Sequence, residues 1–205
     1  MWNRIFHVSL PFLLRSVALC LLQDRIGFYA IVPFIFVSLA GCATHPPSGI
    51  TPITPFDINR YVGKWYEIAR LDHSFELGLI NVSAHYRAQP GGSVQVINRG
   101  YDPIKKAWRQ AIGHALFMGG SDRASLKVSF FGPFYGGYHV VALDQQDYRW
   151  AMVVGPNRNY LWILSRETTL DLSIRDQLLT KAHSLGLDTR SLIWVDQTPR
   201  EDEGS

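Results

Sequence analysis

Few side chains in this sequence are spaced for chemistry. His73, His85, His114, His139 and His183 fall in separate segments. None forms the i, i+4 pair by which a helix presents two imidazoles to a metal. No Gly-x-Ser-x-Gly elbow exposes a serine nucleophile. Asp and Glu occur mostly singly and in turn-like stretches, so no carboxylate pair stands out for acid–base work. Gly91-Gly92, Gly119-Gly120 and Gly136-Gly137 are not followed by a helix, which a phosphate-cradling loop requires. The chain has 2 cysteines, Cys20 and Cys42. Both lie near the N-terminus, which excludes a disulfide framework and a cysteine-based zinc site in the body of the chain. The expectation is a protein without catalytic residues, metal or cofactor. The one cysteine in a distinctive setting is Cys42, which ends Leu39-Ala40-Gly41-Cys42 just after an apolar run from Ile26 to Val37.

That run sets the organisation of the N-terminal part. About twelve apolar residues suit the core of a signal peptide and are short for a membrane-spanning helix, which needs about 20. Residues 1–41 therefore read as a leader. Its ending resembles the lipobox of bacterial lipoproteins, in which the cysteine thiol receives diacylglycerol and the freed amine is acylated as well. The resemblance implies lipidation of Cys42 and a stable membrane anchor, because each buried methylene contributes about 0.8 kcal/mol. Ala43, where an aspartate would imply retention in the inner membrane, points to the outer membrane, at its periplasmic face. Residues 1–24 carry a second apolar stretch ahead of a leader that is already complete, and read as an over-extended start. Residues 42–58 form the anchor and a tether, with Pro46, Pro47, Pro52 and Pro55 disfavouring a helix.

From residue 59 to 198 the chain reads as one domain. At 205 residues, with 47% hydrophobic and 18% charged, it can bury a sizeable core. A net charge of +3 gives no electrostatic footprint for nucleic acid. The dominant period is two. Tyr66, Ile68 and Arg70 alternate with Trp65, Glu67, Ala69 and Leu71. Val82, Ala84 and Tyr86 form a second run and Val94 with Val96 a third. Further runs follow at 108–116, 126–130, 138–143, 148–154 and 160–165. Eight short strands separated by Gly, Pro, Asn and Asp turns predict an all-β barrel or sandwich. The period then changes. Ile174, Leu178, Ala182 and Leu185 share one face of a helix, with Ser173 placed to cap it and Gly186 to end it. Leu192 to Val195 predicts a ninth short strand.

Three ordered motifs resemble those of the lipocalins. Gly63-Lys64-Trp65-Tyr66 matches the first, Asp147-Tyr148 the second and Arg166 the third. The segments 65–70, 127–138 and 160–166 bring the chain nearest to the bacterial outer-membrane lipoprotein members and to the apolipoprotein D-like branch. The resemblance spans about Phe56 to Val195. It implies an all-β, eight-stranded up-and-down antiparallel barrel with one C-terminal α-helix and the short ninth strand. It also implies a plug at one end, with Arg166 stacked on Trp65, and a cup for one small ligand. Tyr135 and Trp162 match aromatic positions near the pocket mouth and are the implied ligand-binding residues. Phe131, Phe134 and Tyr138 are weaker candidates, because alternation does not say which face is inside. The implied function is storage or transport of a fatty acid or lysophospholipid for membrane maintenance, by a binding protein open to homodimer formation. The alternative, a lipocalin-type enzyme on a lipophilic substrate, meets an obstacle: the prostaglandin-synthase type needs a pocket cysteine, and Cys42 is assigned to the anchor.

Overall fold

A computed structural model describes residues 43–200; the leader and Cys42 lie outside the described residues. Eight strands run up and down: β1 (Gly63–Arg70), β2 (Ile80–Ala88), β3 (Val94–Asp102), β4 (Ala107–Phe117), β5 (Ser125–Phe131), β6 (Phe134–Leu143), β7 (Trp150–Val154) and β8 (Leu161–Ser165). Each pairs antiparallel with the next, and β8 returns to β1. The barrel closes where Gly63–Tyr66 of β1 pair with Tyr86–Ser83 of β2. The connections β1–β2, β3–β4, β5–β6 and β7–β8 therefore ring one end, the mouth. The other three connections ring the floor.

Cross-strand register decides which side chains face inward. Tyr86 pairs with Val96, Val94 with Ala115, Ala115 with Val128, Leu126 with Tyr138, and Ala151 with Leu164. These residues form or pack against a single apolar cluster with Trp65 and Tyr61, so they mark the inner wall. The alternate positions Met152, Val154, Leu161 and Ile163 belong to a second cluster outside the barrel. There they meet the helix α2 (Leu172–Ser184) through Leu178 and Ala182. Strands β7 and β8 are thus apolar on both faces, because both are covered.

Asp171, rather than Ser173, caps α2, accepting from the Ser173 N–H at 2.8 Å. A carboxylate one residue outside the helix reaches that free N–H as well as a serine would. Gly186 sits just past the end at φ +70°, the left-handed conformation a helix stop favours. A turn that alternation does not predict precedes β1: α1 (Ile58–Tyr61), capped by Asp57. The ninth strand, β9 (Ile193–Trp194), pairs with the upper half of β1. Beyond Tyr66, β1 and β2 diverge, and the tail fills the seam. Gln197 Nε2 donates to the carbonyls of Glu67 and Val82 at 2.8 and 2.9 Å.

Residues 43–57 are not free; apart from a turn at Pro47–Ile50 they form a strap along β6. The Gly137 N–H donates to the Ala43 carbonyl, Ile53 to Val140, Ala124 to Ile53, and Phe56 to Asp122. Its own Ile50, Pro52 and Phe56 are buried. The prolines that rule out a helix leave the intervening amides to make these bonds.

Candidate ligand-binding site

The floor is built first. Gly63 takes φ +99°, and a Cβ there would come within 3.2 Å of the Arg166 guanidinium. Both constraints require glycine. Arg166 lies 3.9 Å over the Trp65 ring. Its N–H groups donate to the carbonyls of Lys64, Arg60, Tyr61, Val62 and Tyr148. One guanidinium thus ties α1, β1 and the end of β8 together, and Trp65 closes the barrel from within. Above this plug three phenols form a chain: the Tyr138 hydroxyl is 2.7 Å from that of Tyr61 and 2.8 Å from that of Tyr86. Burial pushes all three well above the usual phenol range, so they act as neutral hydrogen-bonding groups. They leave an apolar cavity of about 10 Å³ beside Val94, Leu126 and Val128.

Higher up, the inner wall opens. Asn98 and Ala111 are cross-strand partners on the inward face, yet Asn98 is half-buried and Ala111 exposed. Gly136 and Trp162, also inward, are half-buried. Solvent therefore reaches the wall through the mouth. A larger groove of about 280 Å³ runs among Lys64, His85, Arg87 and Arg99, but it lies on the outer wall.

One polar cluster interrupts the interior. Trp162 Nε1 donates to Glu76 Oε1 at 3.0 Å. Arg70 Nη1 donates to Glu67 Oε1 at 2.8 Å, and its Nη2 to the carbonyls of Glu76 and Leu79. Arg70 Nε is buried with no protein partner. Burial drives Glu67 up to about 7 against the pull of Arg70. It drives Glu76 up to about 8, with the Glu67 charge adding to the effect. One guanidinium faces two buried carboxyls. Glu67, in direct contact with it, ionises first, and Glu76 keeps its proton into the neutral range. Over this cluster His73 stacks on Tyr160 with ring centroids 4.0 Å apart.

The two aromatic residues expected at the site are separated. Trp162 lies on the inner wall beside the cluster. Tyr135 lies on the outer wall at the mouth end: its hydroxyl is 2.7 Å from His114 Nε2, and Lys127 Nζ is 4.9 Å from its ring centroid. His114 and Lys127 alternate with the inward Ala115 and Val128. Tyr138 points inward, whereas Phe131 and Phe134 are exposed at the β5–β6 tip. Glu67, Arg70 and Glu76 were not singled out by the sequence. Strict alternation puts Glu67 and Arg70 on opposite faces, but the β1–β8 register shifts between Glu67 and Ala69. That bulge brings Arg70 inside opposite Trp162. Cys42 lies outside the described residues. Among the described residues no group of three or more His, Cys, Asp or Glu is placed to hold a metal, and no helix is long and apolar enough to cross a membrane.

Comparison with known proteins agrees with this architecture. The lipocalin-like domain family matches residues 56–197. The outer membrane lipoprotein Blc of Escherichia coli is 52% identical over 151 residues, covering 74% of this chain and 85% of that protein. Its Vibrio cholerae counterpart is 50% identical over 151 residues, covering 74% and 88%. Mouse apolipoprotein D is more distant, at 29% over 153 residues, covering 69% and 77%. Among solved structures, insecticyanin from Manduca sexta superposes with a TM-score of 0.60 over 75% of this chain and 86% of its own, at 20% identity; that likeness concerns the fold. With a matched domain of this extent and relatives of this identity, the chain belongs to the lipocalin-like family.

Proposed function

We propose that this protein is an outer-membrane lipoprotein that stores or carries a single-chain lipid, a fatty acid or lysophospholipid, and has no catalytic role. The relatives named outer membrane lipoprotein support the location, and the same location is assigned to this chain. The observation that carries the reading is the inner wall itself. It is predominantly apolar, closed at the floor by Trp65 and the tyrosines, and reached by solvent from the mouth. An acyl chain entering there exchanges water for apolar contact at about 0.8 kcal/mol per methylene. Immobilising the chain offsets several kcal/mol, so net affinity falls near micromolar.

Trp162 is the aromatic that meets the ligand inside the cup, while Tyr135 acts only at the rim. The cluster of Arg70, Glu67 and Glu76 holds the headgroup, and the spare Arg70 Nε donor favours a group with an acceptor oxygen. The floor cavity of about 10 Å³ holds roughly one water. The chain therefore occupies the upper barrel, and affinity rises with chain length until the tyrosine floor is met.

Titrating lipid-stripped protein with fatty acids and lysophospholipids of graded length, read by calorimetry, tests this. Trp162→Ala should weaken binding by about tenfold, the loss of one well-packed aromatic contact, and leave the fold intact. No saturable binding at any length would overturn the carrier reading.

A further inference from the structure

Among the described residues the exposed large hydrophobic side chains are unevenly placed. Of eight, five gather at one end of the barrel, Ile104 (91%), Phe131 (81%), Phe134 (66%), Leu77 (63%) and Phe75 (55%), while Ile112, Leu172 and Trp194 lie apart on β4, α2 and β9. Phe75, Leu77 and Ile104 sit on the β1–β2 and β3–β4 connections, and Phe131 and Phe134 on the strand ends flanking the β5–β6 turn, all at the mouth. The three connections at the floor, residues 89–93, 118–124 and 144–149, carry none. Single exposed hydrophobic residues need no explanation, but five gathered on one rim form the kind of surface that meets another apolar phase.

The strap indicates which phase. Its hydrogen bonds run from Asp122 at the floor, through Val140, to Gly137. Traced towards its N-terminus it therefore climbs β6 towards the β5–β6 tip. Ala43 is held three residues along the strand from Phe134, roughly 10 Å at about 3.3 Å per residue. The next residue back is Cys42, the expected acylation site. Lys105 and Lys106 stand exposed beside Ile104, where ammonium groups can reach lipid phosphates while the stems lie against apolar surface.

We propose that the mouth of the barrel docks directly on a lipid bilayer through the tips carrying Phe75, Leu77, Ile104, Phe131 and Phe134, on the same end as the strap's N-terminus. The inference rests on the lipid-carrier reading for its purpose. Docking lets a single-chain lipid pass between bilayer and cup without crossing water. The acyl anchor and the rim supply two independent membrane contacts, each of which strengthens the other.

The test uses the protein extracted from membranes with its own N-terminus, returned to phosphatidylethanolamine and phosphatidylglycerol vesicles. An environment-sensitive fluorophore on Phe134→Cys, or in a second variant on Ile104→Cys, should be quenched by spin-labelled lipid. The same label on Leu172→Cys, at the start of α2, should not. Phe131→Ser with Phe134→Ser should slow palmitate uptake from vesicles by about tenfold and leave binding of dissolved palmitate unchanged. Equal quenching at Phe134→Cys and Leu172→Cys, with dissolved palmitate still bound, overturns the docking and leaves the carrier reading standing. Rim quenching in a protein that binds no dissolved palmitate supports docking and overturns the carrier reading. A label shift that needs no vesicles and grows with protein concentration assigns the rim to a second copy, and overturns the proposal.

Discussion

Arg166 and Glu76 show how much one side chain can do in a closed barrel. Arg166 covers the Trp65 ring at 3.9 Å, and its hydrogen-bond partners among the described residues are backbone carbonyls. Removing either member forfeits a partly desolvated cation–π contact of about 1–2 kcal/mol, together with packing. Chemical denaturation of Arg166→Ala, Trp65→Ala and the double variant should show the pair costing less than the sum of the singles. Strict additivity would mean that the contact contributes nothing. Glu76 gives a pH signature. Its carboxyl titrates near 8 in the folded protein against about 4.5 when unfolded. Between those values the native state holds a proton that the unfolded chain has released. This contribution to stability is therefore full below about pH 4.5 and lost as pH rises through 8. Glu76→Gln keeps the carbonyl that accepts from Trp162 and removes the titration. Its thermal midpoint should fall less than that of the parent between pH 5 and 8.5, whereas parallel curves would place the carboxyl in water.

Among the elements, the strap differs most from a passive tether. It lies over His139, which is fully buried, with its Nδ1 3.0 Å from Ser125 Oγ. Burial lowers this imidazole from 6.5 to about 4. The unfolded chain therefore binds a proton between pH 6.5 and 4 that the folded one does not. The stabilisation is complete above pH 6.5 and fades as pH falls towards 4. Hydrogen exchange at the Ile53 and Gly137 amides, which donate across the strap, should accelerate over that window ahead of the amides in β7 and β8. Uniform protection from pH 7 to 4 would show that the strap is held independently of His139. The bulge in β1 is the other element-level device. It leaves Ile68 and Ala69 together on the outer face, where both join the cluster beneath α2, and turns Arg70 inward.

For the whole molecule the decisive features are closure and attachment. Closure leaves the barrel no long free edge, since β1 is shared between β2 below and β8 with β9 above. In the proposed reading, attachment depends on Cys42. Replacing it by serine should yield an unprocessed precursor that takes up no labelled fatty acid, in cells where the parent is labelled. Equal labelling of Cys42→Ser and parent would remove the anchor from the account. Because the strap is bound along β6, an anchor at Cys42 orients the barrel as well as tethering it. Loss of acylation should therefore reduce lipid uptake from vesicles, not only membrane residence.

The sequence by itself determined the strand count and the terminal helix, since period-two runs and turn residues are local signals, each legible within a few residues. The plug of Trp65 and Arg166 was implied by the family resemblance of their motifs, and the structure brings the two together. The sequence also located the apolar face of α2, since Leu178 and Ala182 are buried as their spacing requires. What it could not determine was which face of each strand lies inside. Period two fixes which residues share a side but not which side is covered. Tyr135 and Trp162 therefore appeared equivalent until cross-strand register set one outside and the other in. Arg70 was further out of reach, because a bulge inverts the alternation and only the pairing of β1 with β8 reveals it. Glu76 joins Trp162 from a loop 86 residues away in sequence, a proximity created by barrel closure.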